Sequence, residues 1–499
     1  MSRTLFAAVS LALTLAFVHP AVAQSTYTLS PAERAHIEES LHGLNRGVFV
    51  GQVAVSPDGG RIAWTGSGRD GGQILVAPIG DLAHTQTVTA AGPGQKCFEG
   101  SFTWAPDSAA IAFLSDCAHP REQQDIYLSQ LDGSPARRLT DLHGYVQQPT
   151  FSPDGQQIAF LYIEGSSRPA GALAAEPLPS GVIGPGSAQI QRIAVVAAAA
   201  PQPAAPTFVS PANLHVFEFD WSPDSRSLAY VAANPPGENN WWVAKLYTQP
   251  LAGSPTVVLD PAKVVGPLHG LQIAVPRWSP DAKSIAFIGG LMSDQGATGG
   301  DLWVVSAAGG QPHDLTPGRR STPAWLTWDG NSHIYIDEIA GGGCRLVRLT
   351  LHGSLAGSDV SATASRPVFS YPGGIGDGRL DQSLSATANR SLFVFDASTF
   401  NSPPEIYAAR PGSAPTQAGQ FPGLTQLSHF NEGVQPGWGK SVSLDWTNDK
   451  FRVQGWLMQP KDYNPAKKYP LIVEVHGGPA AAVLGRWGAS GSLSPAAFS

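Results

Sequence analysis

The stretch Phe151-Ser152-Pro153-Asp154-Gly155, followed by Ile158-Ala159-Phe160, indicates the architecture of this protein because the same phrase recurs along the chain. Proline presets φ for a turn, the aspartate side chain caps that turn, and glycine or serine tolerates its exit. The aromatic, small and aliphatic residues around the turn are typical of strands packed on both faces. Each copy of the phrase therefore predicts a tight β-hairpin.

Seven copies of the phrase are present, at intervals of about 50 residues. Five keep Pro-Asp, a sixth is degenerate at Trp328-Asp329-Gly330, and a seventh near Ala388 has lost Pro-Asp. A third strand follows each copy, and a fourth often ends near Leu-Thr, as at 315–316. Four strands per repeat are typical of a propeller blade. The prediction is an all-β, seven-bladed β-propeller over residues 48–435, with every blade complete in sequence order and no strand exchanged at the closure.

The N-terminus has the pattern of a secretory signal peptide over residues 1–23. Arg3 supplies the positive region, residues 5–18 are apolar, and Ala21-Val22-Ala23 offers a small-residue cleavage site before Gln24. We therefore expect a secreted or periplasmic protein that is cut after Ala23.

Two further segments outside the strands have a predictable character. Ser30-Pro31-Ala32-Glu33 is a capping box with proline at the first helical position, which predicts a helix within residues 24–47 that ends at Gly43. Residues 169–185 and 197–206 are rich in Ala, Pro and Gly, and we expect them to form a loop or flap between the third and fourth blades.

Charge and cysteine content exclude some classes of protein. The net charge is −7 and no basic run occurs, so we expect neither a nucleic-acid partner nor a membrane partner. Three cysteines are few for an exported chain, so the fold does not depend on disulfides. Cys97 and Cys117 lie equally far on either side of the turn at Asp107 and could form a cross-strand disulfide or remain separate. Cys344 is expected to be a buried strand residue.

A second module begins after residue 435. Two strands are predicted at 441–446 and 453–458, with a turn at Asn448-Asp449. An apolar stretch at 469–475 then predicts a buried strand that leads into His476-Gly477-Gly478-Pro479. Together with the upstream propeller, this segment resembles the prolyl oligopeptidase family of serine peptidases, in the acylaminoacyl-peptidase and dipeptidyl-peptidase-like branch with a TolB-like propeller. The resemblance implies that residues 436–499 are the N-terminal part of an α/β-hydrolase domain.

The resemblance also implies an activity, namely a serine-type peptidase that hydrolyses oligopeptides and whose propeller gates access to the active site. The backbone N–H of Gly478 would then donate to the oxyanion, with His476 and Gly477 shaping the loop. The triad of Ser, Asp and His is absent from this sequence, so we expect the 499 residues alone to be inactive. The alternative is a TolB-like propeller that binds peptides or proteins and carries a hydrolase remnant, with His-Gly-Gly-Pro forming only a turn.

Substrate and cofactor sites are less marked in the sequence. Paired glutamates hold the substrate's amino terminus in dipeptidyl peptidases, but the pair Glu38-Glu39 lies outside the propeller. Glu238, in a loop, is a candidate substrate-binding carboxylate, although a solvated loop residue is the alternative. Trp241 and Trp242 are expected to be neighbours on a strand, with both rings serving as packing residues. No group of His, Cys and Asp has metal-ligand spacing and no phosphate loop is present, so neither a metal nor another cofactor is expected.

Overall fold

The computed structural model describes residues 29–44, 47–68, 71–166, 189–293, 297–353, 360–379, 382–412, 423–477 and 481–488. The predicted signal peptide lies outside these ranges. An α-helix, α1 (Pro31–Leu44), opens with the expected capping box, in which Ser30 N donates to Glu33 Oε2 (2.8 Å) and Glu33 N donates to Ser30 Oγ (3.2 Å). Gly43 keeps helical geometry inside the last turn, so its prediction as the terminator is wrong.

Seven antiparallel sheets follow the helix, and each is built from strands that are consecutive in sequence. The first four blades are β1 (Val50–Val55), β2 (Arg61–Gly68), β3 (Gly71–Pro78) and β4 (Gln86–Val88); β5 (Glu99–Trp104), β6 (Ile111–His119), β7 (Gln123–Ser129) and β8 (Arg137–Arg138); β9 (Gly144–Phe151), β10 (Gln157–Glu164), β11 (Arg192–Ala197) and β12 (Thr207–Phe208); and β13 (His215–Trp221), β14 (Ser227–Ala233), β15 (Lys245–Pro250) and β16 (Thr256–Leu259).

The last three blades follow the same plan with small departures. They are β17 (Gln272–Trp278), β18 (Ser284–Ser293), β19 (Ala297–Ser306) and β20 (His313–Asp314); β21 (Thr322–Asp329), β22 (His333–Ala340), β23 (Gly343–His352), β24 (Ser361–Ala364) and β25 (Phe369–Tyr371); and β26 (Gly374–Gly376), β27 (Ser385–Ala386), β28 (Phe393–Ser398), β29 (Glu405–Ala409) and β30 (Leu424–Gln426). In the seventh blade both β26 and β27 pair with β28, so the innermost strand is interrupted by residues 377–384. The predicted seven-bladed propeller is confirmed, and among the described strands none is exchanged at its closure.

The recurring phrase forms the turn from the first to the second strand of each blade. Ser56 Oγ donates to Asp58 Oδ1 (2.6 Å) and accepts from the N–H of Arg61 (2.9 Å), and three other blades repeat this pair of bonds. In the seventh blade, Thr387 and Asn389 take the places of serine and aspartate. All seven turns contain a residue with positive φ, which are Gly59, Ser108, Gly155, Ser225, Ala282, Gly330 and Arg390. The turn geometry therefore survives where the Pro-Asp sequence does not.

The core is divided into seven apolar clusters, and each cluster fills the seam between two neighbouring blades. The tryptophan of the phrase adds a hydrogen bond across three of these seams. Its Nε1 donates to a backbone carbonyl on the first strand of the preceding blade, from Trp104 to Ala54 (3.2 Å), from Trp221 to Thr150 (3.2 Å) and from Trp328 to Arg277 (3.0 Å). The large ring buries apolar area while its N–H remains bonded.

The seam between the first and seventh blades closes the ring through side chains. Asn431 Oδ1 accepts from Val48 N (2.5 Å), and its Nδ2 donates to Val48 O (3.0 Å) and Pro404 O (2.7 Å). The Glu405 carboxylate in turn accepts from the N–H groups of Phe430 (3.0 Å) and Asn431 (2.7 Å). A buried amide therefore bridges the two ends of the propeller.

Two predictions are wrong, one about the position of a loop and one about a strand. Residues 197–206 connect β11 to β12, so this Ala- and Pro-rich stretch lies inside the third blade and not between the third and fourth blades. The stretch does form a loop, but because β11 pairs with β10 and β12 pairs with β11, this loop joins the last two strands of the third blade. Residues 169–185 lie outside the described ranges. Trp241 and Trp242, expected on a strand, belong to a short 3₁₀-helix, Glu238–Val243.

The segment after the propeller begins as predicted. β31 (Ser441–Asn448) and β32 (Phe451–Met458) form a hairpin, with Asp449 at positive φ in its turn. The prediction of a buried strand at 469–475 is wrong, because residues 471–475 have no strand pairing and Val475 is 83% exposed. A parallel strand is buried only when neighbouring strands and helices cover it, and no strand among the described residues pairs with this one. Within the described ranges, the one α-helix is too short and too polar to cross a bilayer.

Candidate functional site

The predicted oxyanion loop lies at the edge of the described structure. His476 and Gly477 are exposed and have no regular secondary structure, and His476 Nδ1 lies 2.9 Å from Gly477 O. Gly478, the expected donor, falls outside the described residues. The structure therefore gives no oxyanion geometry.

The candidate Glu238 opens the 3₁₀-helix Glu238–Val243 and not an irregular loop, and its side chain is outside the described part. Trp241 and Trp242 on the same helix stack with ring centroids 6.0 Å apart. Trp241 packs against the clusters on both sides of the fifth blade, whereas Trp242 is 60% exposed. We expected both rings to be packing residues, and this is right for Trp241 only.

The main cavity lies where the first strands of blades one, two and three begin, at the end of the ring opposite the recurring turns. It has a volume of about 670 Å³, and its lining includes Phe49, Gln52, Phe98, Tyr145 and Arg379. We call it the mouth cavity, because it opens at one end of the space that the seven inner strands surround.

Arg379 reaches the mouth cavity from the interruption in the seventh blade. Its Nη2 donates to Pro149 O (3.3 Å) and Thr150 Oγ1 (3.0 Å) on β9, so the side chain crosses from the seventh blade to the third. The preceding Gly378 has φ +79°, and a Cβ there would lie 1.9 Å from Gly51 O. Glycine is therefore required at this position to bring the arginine into the ring.

Ionisable groups also lie deeper in the ring. Glu218 Oε2 accepts from Val275 N and Asp220 Oδ2 accepts from Trp278 N, each at 2.9 Å, so both carboxyls bond the next inner strand. Burial raises the pKa of Glu218 to about 7 and also raises the pKa of Asp220, while the charge of Arg277 opposes both shifts. Part of the acidic charge inside the ring is thereby neutralised near neutral pH.

One wall of the mouth cavity is held by a disulfide. Cys97 and Cys117 are bridged, with their Cα atoms 5.0 Å apart. Between them, Glu99 Oε1 accepts from the N–H of Ala90 (2.7 Å) and from Ser115 Oγ (3.2 Å), and burial raises the pKa of Glu99. A disulfide offers no thiolate to a metal ion, so this close group of Cys and Glu is a structural one.

A second group of possible metal ligands, His119, Asp125 and Asp141, is already bridged by a cation. The Arg138 guanidinium contacts Asp125 Oδ2 (2.9 Å) and also Asp141. Its positive charge occupies the space in which a metal ion would sit, so this group is an ion-pair network.

The chain after the propeller returns to the end of the ring where the mouth cavity opens. Gly374 N donates to Gly485 O (2.7 Å) and Trp487 N donates to Ser398 Oγ (3.1 Å). Trp456 on β32 donates to Val483 O (2.9 Å), which ties the hairpin to the same segment. The segment 481–488 is thereby fixed beside β26, the strand that precedes Arg379.

Sequence reasoning missed Arg379 and Arg277. No motif surrounds Arg277, and the only signal for Arg379 is the glycine-rich run Gly373-Gly374-Ile375-Gly376-Asp377-Gly378. A glycine-rich run at a position where the repeat predicts a strand indicates a close approach of two backbones or a break in the strand. Cys344 lies on β23 and is 2% exposed, as expected, and its Sγ is bonded to Gln382 Oε1 (2.9 Å).

Comparison with known proteins gives relatives for parts of the chain. No family model matches it. A probable dipeptidyl-peptidase 5 of Aspergillus niger is 25% identical over 282 residues, which are 54% of this chain and 35% of that protein. A TolB homolog of Chlorobium luteolum is 34% identical over 126 residues, 24% of this chain and 26% of that protein. The match therefore spans about a third of the length of the dipeptidyl-peptidase relative.

Solved structures share the architecture over most of the chain. An acylaminoacyl peptidase in complex with Z-Gly-Gly-Phe-chloromethyl ketone has a TM-score of 0.58 at 12% identity, covering 89% of this chain and 62% of that one. A Mycobacterium tuberculosis puromycin-hydrolyzing peptidase has a TM-score of 0.57 at 13% identity, covering 87% and 62%. At these identities the likeness is one of fold.

Proposed function

We propose a function for this chain from its resemblance to the prolyl oligopeptidase family of serine peptidases, which the partial match to a probable dipeptidyl-peptidase 5 supports. The chain supplies the propeller of a serine-type peptidase that hydrolyses oligopeptides. A nucleophilic serine, activated by a His–Asp pair, would attack the peptide carbonyl, and Gly478 would donate to the oxyanion. None of these groups except Gly478 is assigned to a residue of this chain.

The observation that carries the proposal is where the chain leaves the propeller. The hairpin β31–β32 and the segment 481–488 contact the end of the ring where the mouth cavity opens, and His476-Gly477-Gly478-Pro479 lies between them in sequence. A catalytic module on this side would receive peptides that first enter or pass the ring. The propeller would thereby admit short or unstructured peptides and exclude folded proteins.

The proposal includes export and predicts the behaviour of the 499 residues. The signal-peptide pattern supports a secreted or periplasmic location. By itself, the chain should not hydrolyse peptides by this mechanism. If the gene continues in frame beyond the codon for Ser499, it should encode a G-x-S-x-G elbow, and later Asp and His.

The decisive test is labelling of the native protein, purified from its source, with a fluorophosphonate probe. Covalent labelling of a serine, together with cleavage of short peptides and not of folded proteins, would support the proposal. An unlabelled native protein without peptidase activity would refute it.

A second function is favoured by the match to the TolB homolog. In that case the propeller binds a peptide or protein and performs no hydrolysis. A native protein that resists the probe and yet binds peptides would establish this alternative.

A further inference from the structure

The mouth cavity has an unusual charge distribution. Among the described residues that line it, Glu99 and Arg379 are charged. The Glu99 side chain is 4% exposed and its Oε1 is bonded to Ala90 and Ser115. Arg379, by contrast, is exposed within the cavity. The charge that a ligand in the cavity would meet is therefore positive.

The Arg379 guanidinium has no anionic partner within the described ranges. Its bonded acceptors, Pro149 O and Thr150 Oγ1, are neutral, and its Nε and Nη1 have none. The nearby Asp377 carboxylate accepts from the backbone N–H of Arg379 (2.9 Å) and from Ser383 Oγ, and it forms no salt bridge with the guanidinium. Because Arg379 is exposed, a ligand carboxylate can reach its guanidinium and form a charge-assisted hydrogen bond with it.

A second arginine, Arg277, adds positive charge near Arg379. Arg277 also lies inside the ring without a salt-bridge partner among the described residues, and its side chain donates only to Pro276 O (2.8 Å). Burial is the main cause that lowers the pKa of Arg379; the charge of Asp377 opposes this shift, and the charge of Arg277 adds to it. A bound anion would relieve the repulsion between the two arginines.

Aromatic side chains also belong to the lining of the cavity. Phe98 is 56% exposed and Phe49 is 40% exposed, and Tyr145 joins them in the lining. Exposed aromatic rings around a polar centre are typical of ligand sites. An apolar side chain next to a carboxylate would contact these rings while its charge reaches the arginine.

We propose that the mouth cavity is a binding site for a carboxylate on a peptide, that Arg379 is its anchor, and that Phe49 and Phe98 contact the neighbouring side chain. The inference rests on the proposed function for its choice of a peptide ligand. One guanidinium matches one carboxylate. The carboxylate belongs either to the C-terminus of the peptide or to an acidic side chain.

The test is direct binding to the full 499-residue chain, measured by fluorescence anisotropy with three labelled peptides. The first is Ala-Ala-Phe with a free carboxyl terminus, the second is its C-terminal amide, and the third is Ala-Glu-Phe amide. We expect at least one carboxylate peptide to bind about tenfold more tightly than the Ala-Ala-Phe amide. Preference for the first peptide assigns the C-terminus, and preference for the third assigns an acidic side chain.

Variants identify the anchor. Arg379→Gln should abolish the preference, Arg379→Lys should retain part of it, and Arg366→Gln, which makes the same change at an exposed site on the sixth blade, should leave it intact. Thermal melting shows whether each variant is folded, and the comparison of acid with amide in the unaltered chain needs no variant.

Equal binding of all three peptides, or a preference that persists in folded Arg379→Gln, would overturn the proposal. Because the readout is binding, its failure is distinct from failure of the peptidase function, which the fluorophosphonate experiment measures separately.

Discussion

Replacement of Glu218 by glutamine should stabilise the propeller at alkaline pH and leave its stability unchanged at acidic pH. Glu218 is 6% exposed, and its Oε1 has no hydrogen-bond partner in the described structure. Gln52 holds the corresponding place in β1, four residues before the turn serine, and its amide bonds both the N–H (3.0 Å) and the C=O (2.8 Å) of Phe102 on the next blade. An amide is therefore already accommodated at this position of the fold.

The size of the expected gain in free energy of unfolding follows from the pKa of Glu218. Burial is the main cause that raises it from 4.5 to about 7, while Arg277 and the Val275 N–H oppose the shift. The folded state then holds a proton that the unfolded state has released, so stability falls as pH rises from about 4.5 to about 7. The gap between these two pKa values corresponds to about 3 kcal/mol, an upper bound on what Glu218→Gln can gain above pH 7.

The assay is urea unfolding followed by tryptophan fluorescence at pH 5 and pH 8, for the unaltered chain and for Glu218→Gln. Other buried carboxyls titrate in the same range, among them Asp396 with a pKa of about 7 and Asp314 with a pKa of about 6, so only the difference between the two proteins isolates Glu218. Glu432→Gln makes the same change on the surface and should show no difference between the two pH values. A free energy of unfolding for Glu218→Gln that exceeds the unaltered value equally at both pH values, or at neither, would refute the reasoning.

Four other changes have expected outcomes. Asn431→Ala should lower the free energy of unfolding by about 2 kcal/mol, since it leaves the buried Pro404 C=O unpaired and removes the bonds to Val48 that close the ring; chemical denaturation measures this, and a loss below the error of the assay would contradict it. Reduction of Cys97–Cys117, or replacement of both by serine, should cost about 3 kcal/mol because a loop of about 20 residues is released, and melting with and without reductant should differ only in the unaltered chain. Gly378→Ala should cost at least about 2 kcal/mol from its positive φ and weaken peptide binding, as titration of denaturant and of peptide would show. Sequencing of the mature N-terminus should begin at Gln24; retention of residue 1 would exclude cleavage.

The strand pattern could be predicted from the sequence because it depends on local turns. Copies of the phrase such as Trp278-Ser279-Pro280-Asp281 contain the groups that form the turn, so the hairpins follow from residues close in sequence. The repeat and the strand residues Leu392-Phe393-Val394 predict the seventh blade near Ala388 although Pro-Asp is missing there. The structure shows that Thr387 and Asn389 form the same turn bonds in its place. Blade number and strand order thus follow from the repeat.

The site residues could not be predicted in the same way. Arg379 reaches the mouth cavity only because β26 and β27 are separated and the ring brings the seventh blade opposite the third. No pattern of neighbouring residues encodes a contact between Arg379 and Thr150, which are 229 positions apart. The stretch at 469–475 shows a different limit of sequence-based prediction. Its apolar composition predicts a strand, but whether a strand forms there depends on pairing with other strands.

The side-chain closure of the ring has a consequence for its connectivity. Since every sheet takes all its strands from one continuous segment, no blade is marked as the first. Val48 and Asn431 are already in hydrogen-bond contact, so a short covalent link between them would span little distance. A propeller permuted to start at the exposed Val265, between the fourth and fifth blades, would keep all seven sheets and all seven seams. The choice of the blade at which the chain begins is therefore not required by the ring. We expect the ring to form from any of the seven circular permutants that begin between two blades.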